Sequence, residues 1–344
     1  MKKKSAKLSD VARLAGVSTA TVSRALSLPQ KVRPETLEKI QRVIKKLGYV
    51  PHGAARALAL RRTFTIGAVV PTLDNAIFAE TTHALQKTLD EAGYTLLLAC
   101  HEFNPDVETR VARTLIERGV DGVVLFGTDH QKPLWQLIET LQLPYVLSWA
   151  FDKTGARPCV GFDSRAAGRR VAEYLIDLGH RRFAMISGLT ATNERHRARV
   201  QGVKDALAAR GIPLEPACVV EKQFSPNAGR EAMHELLKMK VPPTAVICGN
   251  DVLAIGAIAE CHAAGLEVPG DLSITGFDDM AIASMISPGL TTVRFPAYEL
   301  GKLAAENLLL HLNAAGAPAQ RELPVELIVR ESTAPPRQTL VKVS

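Results

Sequence analysis

The chain has 344 residues, of which 47% are hydrophobic and 22% charged. These values are typical of a soluble globular protein with two or three domains. It contains no run of about 18 apolar residues, which excludes a membrane-spanning helix. Its five cysteines are scattered and form no C-x-x-C motif, so we predict free thiols in a reducing cytoplasm and no metal site.

The net charge of +7 is distributed unevenly along the chain. Residues 1–62 contain 15 Lys and Arg against 3 Asp and Glu, a balance of +12, which leaves −5 for the rest. A basic segment on a mildly acidic body indicates a module that binds a polyanion. The basic start "MKKKSAKLSD" has no apolar stretch behind it, so we do not expect a secretory signal.

Three short helices are predicted between residues 8 and 48. The first ends before Gly16, which permits a left-handed turn, and Ser18 can cap the second. The third begins at Pro34, a favourable first helical position, and ends at Gly48. Two short helices joined by a glycine turn form a helix-turn-helix unit.

The start of the second helix carries small polar side chains and an arginine. In a helix-turn-helix unit, residues at this end of the second helix contact base edges in the major groove. Serine and threonine pair with several base edges, and arginine can donate two hydrogen bonds to guanine. The alternative is a solvated polar face, but the basic charge favours DNA. The residues predicted to face outward are Thr19, Ala20, Thr21, Ser23 and Arg24.

Residues 51–62 are predicted to be a linker that becomes helical only when docked. After this linker, the sequence pattern changes. From Thr65, ten short apolar runs alternate with amphipathic stretches, a pattern typical of parallel sheets covered by helices. We predict two sheets of about six strands each, with a ligand cleft at the carboxyl ends of the strands. The alternative is one large α/β domain without such a cleft.

The segment "LSDVARLAGVSTATVSRALS" resembles the N-terminal signature of the LacI/GalR family of bacterial transcriptional regulators. The resemblance continues through "RPETLEKIQRVIKKLGYVPHGAARAL" and into body blocks such as "GFDSRAAGRRVAEYLIDLGHRRFAMISG" and "CGNDVLAIGAIAECHAAGLEVPGDLSITGFDD". It covers about residues 8–332. The segment "NERHRAR" is only loosely similar to that of gluconate-type repressors.

The resemblance implies an all-α helix-turn-helix head and a hinge helix. It also implies an α/β body of two similar parallel-sheet lobes, like type I periplasmic binding proteins. The body would bind an effector and dimerise. The implied bounds are 1–50 for the head, 51–62 for the hinge helix or linker, 63–340 for the body, about 64–162 with 293–325 for lobe 1, and about 163–292 with 326–340 for lobe 2.

The resemblance also assigns contacts with DNA. Leu58 matches a family leucine that wedges into a base step from the minor groove, and Ala55 and Ala59 match small residues where two hinge helices meet. Two such helices imply a homodimer on a pseudopalindromic operator. The full implied set is Leu8, Ser18, Thr19, Ala20, Thr21, Ser23, Arg24, Arg33, Tyr49, Ala55, Leu58 and Ala59.

For the cleft, the resemblance implies a sugar or sugar acid as effector. Carboxyl and amide groups can bridge hydroxyls, aromatic rings can cover an apolar sugar face, and Arg199 donates a fixed fork. Arg195 would favour an acidic ligand, unless it belongs to a solvated basic helix start. Alternatively, Phe78 and Phe224 can be core residues. The two aspartates that follow "GF", Asp163 and Asp278, can alternatively be helix caps. The implied set is Ile77, Phe78, Trp149, Asp163, Arg195, Arg199, Phe224, Asn250 and Asp278.

The expected function is a DNA-binding repressor in the bacterial cytoplasm, with an activator or dual regulator as the alternative. An enzyme is not expected, because G-x-S-x-G, Walker, H-E-x-x-H and G-x-G-x-x-G motifs are missing, and no cofactor is predicted. A sugar-binding transport protein would not carry the basic head. The tail "APPRQTLVKVS" has no leucine heptads, which favours a dimer over a tetramer.

Overall fold

The computed structural model describes most of the chain, namely residues 6–50, 57, 60, 62–313 and 319–337. No helix within these ranges is long and apolar enough to cross a membrane. The three hinge residues that are predicted to act at the DNA lie outside the described residues: Ala55, Leu58 and Ala59.

The head contains α1 (Leu8–Ala15), α2 (Thr19–Ser27), a 3₁₀ turn (Pro29–Lys31) and α3 (Pro34–Leu47). Gly16 ends α1 with φ +63°, a left-handed conformation that glycine adopts without a steric penalty. The predicted helix-turn-helix head is therefore confirmed. Its core consists of Val11, Ala12, Ala15, Val22, Ala25 and Ile40.

Twelve strands form in the described part of the body, and each of the ten predicted apolar runs contains one of them. The two additional strands are short and lie near the C-terminus. The strands are β1 (Thr65–Val70), β2 (Thr95–Cys100), β3 (Gly122–Phe126), β4 (Tyr145–Ser148), β5 (Cys159–Gly161), β6 (Phe183–Ser187), β7 (Val219–Glu221), β8 (Ala245–Cys248), β9 (Ser273–Asp278), β10 (Thr291–Arg294), β11 (Arg321–Glu322) and β12 (Glu326–Ile328).

The strands form two sheets of six, as predicted. The first sheet has the order β11-β5-β4-β3-β1-β2 and is parallel throughout. The second has the order β12-β10-β9-β8-β6-β7 and is parallel except for the antiparallel pair of β10 and β12. We refer to the parts built on these sheets as lobe 1 and lobe 2.

The chain passes between the sheets three times: between β5 and β6, between β10 and β11, and between β11 and β12. The lobe boundary predicted at residues 292 and 293 falls inside β10, which pairs with β9 along its whole length. The helices of the body are α4 (Ala76–Glu91), α5 (Pro105–Glu117), α6 (Lys132–Thr140), α7 (Ser164–Asp177), α8 (Glu194–Ala209), α9 (Pro226–Leu237), α10 (Asp251–Ala263) and α11 (Ala297–Leu312).

Helices α7 and α8 pack closely because each has a glycine at their contact. A Cβ atom at Gly168 would lie 2.3 Å from the carbonyl oxygen of Arg199, and one at Gly202 would lie 2.0 Å from that of Arg165. Atoms do not approach so closely, so only glycine permits this spacing. The glycines thereby fix the position of α8. The other helix pairs have similar contacts at Gly229, Gly256 and Gly301.

We expect the Gly202→Ala variant to lose about 1–3 kcal/mol of stability, because its methyl group would overlap backbone atoms that cannot move alone. The melting temperature, measured by circular dichroism, should fall clearly below that of the wild type. The matched control is Lys204→Ala on the exposed face of α8, which should change stability by less than about 0.5 kcal/mol. Equal melting temperatures for the two variants would contradict the packing argument.

Candidate functional site

The N-terminal edge of α2 presents side chains to solvent. The hydroxyl of Ser18 accepts a hydrogen bond from the backbone N–H of Thr21 at 3.1 Å, which caps the helix. Ser18, Thr19, Ala20 and Arg24 are exposed. In the described part of the chain, no hydrogen bond or ion pair engages the Arg24 guanidinium. This edge can therefore meet a partner without breaking internal contacts.

The other predicted DNA contacts differ in exposure. Arg33 is exposed just before α3, whereas Thr21 and Ser23 are half-buried in α2. Leu8 and Tyr49 are half-buried against the core of the head. A leucine and a tyrosine in these positions keep only part of their surface available to a phosphate or base.

A cavity of about 790 Å³ lies where the carboxyl ends of strands from both sheets converge, and we call it the central cavity. Loops that follow β1, β2, β4, β6, β7 and β8 line it, together with the last residue of β9. No group of three or more His, Cys, Asp or Glu in the described ranges could hold a metal ion. The predicted effector residues that line the cavity are Phe78, Trp149, Arg195, Arg199, Phe224, Asn250 and Asp278.

Arg199 is the most deeply embedded cation of the central cavity, with 3% of its surface exposed. Its Nη1 donates to the carbonyl oxygen of Gly249 at 2.6 Å, and its Cζ lies 4.8 Å from the ring centroids of Phe277 and Phe295. Burial lowers the pKa of Arg199 to about 10, although Asp278 opposes the shift. The guanidinium therefore remains charged, and its Nε has no partner among the described residues.

Asp278 ends β9 and faces this arginine. Burial raises the pKa of its carboxyl to about 6, while Arg199 and a hydrogen bond from Asn75 act in the opposite direction. The neighbouring Asp251 accepts a hydrogen bond from the backbone N–H of Met280 at 2.8 Å, which holds the loop after β9. Burial and the charge of Asp278 raise the pKa of Asp251 well above its ordinary value. These buried polar groups are held in place before any ligand arrives.

Aromatic rings form the apolar part of the central cavity. The indole N–H of Trp149 donates to the hydroxyl of Thr81 at 3.2 Å. The ring centroids of Phe78 and Trp149 lie 4.8 Å apart. The rings of Phe103 in lobe 1 and Phe224 in lobe 2 contact each other directly, with their centroids 5.0 Å apart. A flat, partly apolar molecule can be covered by rings from both lobes.

Two predicted effector residues do not reach the central cavity. Ile77 is buried in the core of lobe 1. Asp163 caps α7 by accepting from the backbone N–H groups of Arg165 and Ala166 at 2.9 and 3.0 Å, and it pairs with Lys153 at 2.5 Å. Asp163 therefore acts as a helix cap, which was the alternative interpretation of this residue.

Several lining residues were missed by the sequence reasoning, although they follow strand ends, where a cleft was predicted. Glu102 and Phe103 have positive φ angles of 48° and 56°, and Trp149 has one of 73°. Such conformations are uncommon for these residue types and concentrate at functional sites. The missed residues include Asp74, Asn75, Glu102, Phe103, Asn193, His196 and Lys222.

The two lobes are joined beside the cavity by the first turn of α8. The carboxylate of Glu194 accepts from the backbone N–H of Thr128 at 3.1 Å, and Arg197 pairs with Asp129 at 2.8 Å. Gly127 allows this contact, because a Cβ there would lie 2.5 Å from the Glu194 carboxylate. These bonds connect the loop after β3 with lobe 2, so a change in lobe angle must break or remake them.

Comparison with known proteins agrees with this architecture. Residues 7–52 match the family described as bacterial regulatory proteins, lacI family, and residues 172–333 match the periplasmic binding protein-like domain. The ribose operon repressor of Escherichia coli K12 is 35% identical over 320 residues, covering 92% of this chain and 96% of that protein. The lac repressor dimer bound to operator superposes with a TM-score of 0.86 at 25% identity, covering 96% of this chain and 100% of that chain. A CelR–cellobiose complex superposes with a TM-score of 0.70 at 31% identity, covering 95% of this chain and 99% of that chain.

Proposed function

Because this chain belongs to the LacI family of bacterial regulatory proteins, we propose that it represses transcription from an operator under the control of a small polar metabolite. The observation that carries the proposal is the central cavity, in which buried charges on Arg199 and Asp278 lie between two lobes. A ligand that contacts both lobes favours one lobe angle over another. A typical coupling of about 1–3 kcal/mol changes operator affinity roughly 5–150-fold.

The effector proposed is a sugar or sugar acid. Asn250 and Asp278 offer groups that bind hydroxyls, while the rings of Trp149 and Phe224 match an apolar sugar face. Arg195 adds a cation that would favour an acidic group. The similar CelR structure is a complex with cellobiose.

A thermal-shift screen of the full chain against sugars, sugar acids and nucleosides tests this ligand class. A ligand present at 100 times its Kd adds about 2.7 kcal/mol of stability, which raises the melting temperature measurably. A sugar or sugar acid that raises it and changes operator affinity supports the proposal. A response to nucleosides alone, or to no compound of the panel, would contradict it.

The partner on the DNA side is proposed to be a pseudopalindromic operator in the bacterial cytoplasm, bound by a homodimer. The exposed edge of α2 would read bases, and Arg33 and Tyr49 would contact phosphates. The similar lac repressor structure is a dimer on its operator. Sedimentation that shows a stable tetramer or a monomer on DNA would contradict the dimer.

We expect the Leu58→Gly variant to lose specific operator affinity and DNA bending while keeping effector binding. By the family resemblance, this leucine wedges between base pairs, and such wedges offset an unstacking cost of a few kcal/mol by added contact. Gel shifts with bent and straight DNA probes measure the effect. Leu58→Met, which retains an apolar wedge, is the matched control. If the Leu58→Gly variant and the wild type had equal operator affinity and bent the DNA equally, Leu58 would not act as a wedge.

A further inference from the structure

The chain enters the body at residues 62–64, at the end of the predicted hinge, and we call this stretch the entry segment. One carboxylate holds it on one side: Asp121, in the turn between α5 and β3, accepts the backbone N–H groups of Thr63 and Phe64, both at 2.8 Å. The hydroxyl of Thr63 donates to the carbonyl oxygen of Gly119 at 2.6 Å. The entry segment is therefore fixed to the turn before β3.

The side chain of Arg62 ties the entry segment to a second element, the C-terminal end of α11. Its Nη1 donates to Oδ1 of Asn313 at 3.0 Å, and its Nη2 donates to the carbonyl oxygen of Leu312. Leu312 is the last residue of α11, and Asn313 is the C-cap. The last carbonyl groups of a helix have no partner within the helix and carry partial negative charge, so a guanidinium is favourable there. Arg62 thus caps a helix that ends 250 residues later in the chain.

The other end of α11 lies where the chain crosses from lobe 2 into lobe 1. Strand β10 ends at Arg294, and α11 begins at Ala297. Between them, the buried ring of Phe295 stacks on the ring of Phe162, with the centroids 4.1 Å apart and the planes 13° from parallel. Phe162 directly follows β5, at the first crossing between the lobes. The start of α11 is therefore packed against two of the three crossings.

Packing makes α11 a rigid connection between these two ends. The carbonyl oxygen of Ala297 accepts a hydrogen bond from Thr81 at 2.9 Å, and Thr81 in turn accepts one from Trp149 of the central cavity. A Cβ atom at Gly301 would lie 2.0 Å from the carbonyl oxygen of Thr81, so α11 lies directly on α4. The 16 residues of α11 span about 24 Å at 1.5 Å per residue. The helix therefore extends from the central cavity to the entry segment.

We propose that Arg62 is the positioning residue through which α11 transmits effector binding to the predicted hinge. This inference rests on the proposed function, because it assumes an effector that changes the lobe angle. A change of that angle displaces the crossings, and a rigid helix carries the displacement to its C-terminal end. There the two hydrogen bonds of Arg62 pull on the entry segment, while Asp121 holds the same segment to the turn before β3. Arg62 itself does not line the central cavity.

The test measures coupling, defined as the ratio of operator Kd values with and without a probe sugar. D-Ribose, D-gluconate and cellobiose are titrated against the full chain, and the compound with the lowest Kd is the probe. Arg62→Ala removes both bonds to α11 and leaves those of Asp121 in place. The Kd of the probe, measured by titration calorimetry, should stay within about twofold of that of the wild type, whereas coupling should shrink toward 1 by about fivefold or more.

Amide hydrogen exchange, measured by mass spectrometry, gives a second readout that needs no sugar. Operator DNA selected from a random library is added to the wild type and to Arg62→Ala. In the wild type, the DNA should slow exchange in the last turn of α11 by about threefold or more, because the hinge and the helix end are tied together. In Arg62→Ala, the DNA should leave this exchange unchanged. Equal protection in the two proteins would contradict the connection.

Two further variants separate coupling from general stabilisation. Arg118→Ala is the matched control, because Arg118 is an exposed arginine beside Gly119 at the same edge of lobe 1, and it should keep the coupling of the wild type. Asn313→Ala removes one of the two bonds of Arg62 and should give intermediate coupling, and it replaces Arg62→Ala should that variant not fold. The double variant Arg62→Ala/Asn313→Ala should lose no more coupling than Arg62→Ala alone.

The outcomes distinguish the inference from the function on which it rests. If Arg62→Ala weakens operator binding by the same factor with and without the probe, its coupling is unchanged and Arg62 only stabilises the hinge, which overturns the inference. Coupling in Arg62→Ala equal to that of Arg118→Ala overturns it as well. If no sugar of the panel binds to the wild type, the proposed effector class fails instead, and hydrogen exchange still decides whether Arg62 connects α11 with the hinge.

Discussion

The Arg199→Ala variant is expected to lose its response to the effector while it still binds the operator. The guanidinium is buried, charged and held over two phenylalanine rings, and its Nε has no hydrogen-bond partner among the described residues. A hydrogen bond to a charged group contributes about 1.5–3 kcal/mol, so effector affinity should fall roughly 10–150-fold. The loss of this cation also removes the stronger of the two arginine charges that act on the buried carboxyl of Asp278, which raises the pKa of Asp278 further and weakens its acceptor role.

Titration calorimetry with the compound identified by the thermal-shift screen measures the loss directly. Gel shifts with and without the compound show that operator affinity persists but no longer responds. Arg210→Ala is the matched control, because Arg210 lies exposed at the other end of α8, where its side chain forms an ion pair with Asp177 at 3.7 Å. An effector affinity in Arg199→Ala equal to that of the control would show that the ligand does not contact this arginine.

The sequence predicted most of the fold because burial leaves a strong pattern. Strands covered on both faces appear as apolar runs, and ten of the twelve strands are found in such runs. The exceptions are β11 (Arg321–Glu322), which is exposed, and β12 (Glu326–Ile328), which is short and only partly buried. Both lie at sheet edges, where pairing is set by backbone hydrogen bonds rather than by apolar side chains.

The candidate site was harder to predict, as two similar motifs show. Asp163 in "GFDS" and Asp278 in "GFDD" both follow a glycine and a phenylalanine at a strand end. Strand β9 lies inside its sheet and delivers Asp278 to the cavity, whereas β5 lies next to an edge strand and Asp163 caps α7 instead. The difference depends on strand order, which no local pattern contains.

The side chains that connect the lobes illustrate the same limit. Phe103 and Phe224 are separated by more than a hundred residues and meet only because two sheets face each other. His101 and Arg195 likewise come from different lobes and line the same small cavity. Sequence spacing identifies the strand ends from which such residues come, but the pairing across the cleft requires the tertiary structure.

The Arg24→Ala variant is expected to recognise a wider set of operators than the wild type. The guanidinium of Arg24 is exposed at the edge of α2 that we propose contacts bases, and no described residue engages it. A bidentate contact of arginine with guanine contributes about 1–3 kcal/mol of discrimination against the wrong base, or roughly 5–150-fold. Thr19→Ala should relax the preference at a neighbouring position through loss of its hydroxyl.

Selection of binding sites from a random DNA library gives the preferred sequence of each variant. In Arg24→Ala, one base pair of each half-site should lose its preference while the others keep theirs, because a phosphate contact would instead weaken all sequences alike. Arg13→Ala is the matched control: this arginine is also exposed in the head, but on α1, where it pairs with Asp10 at 3.7 Å. If Arg24→Ala selects the same sequence with the same discrimination as this control, the side chains that contact the bases must lie elsewhere on the head.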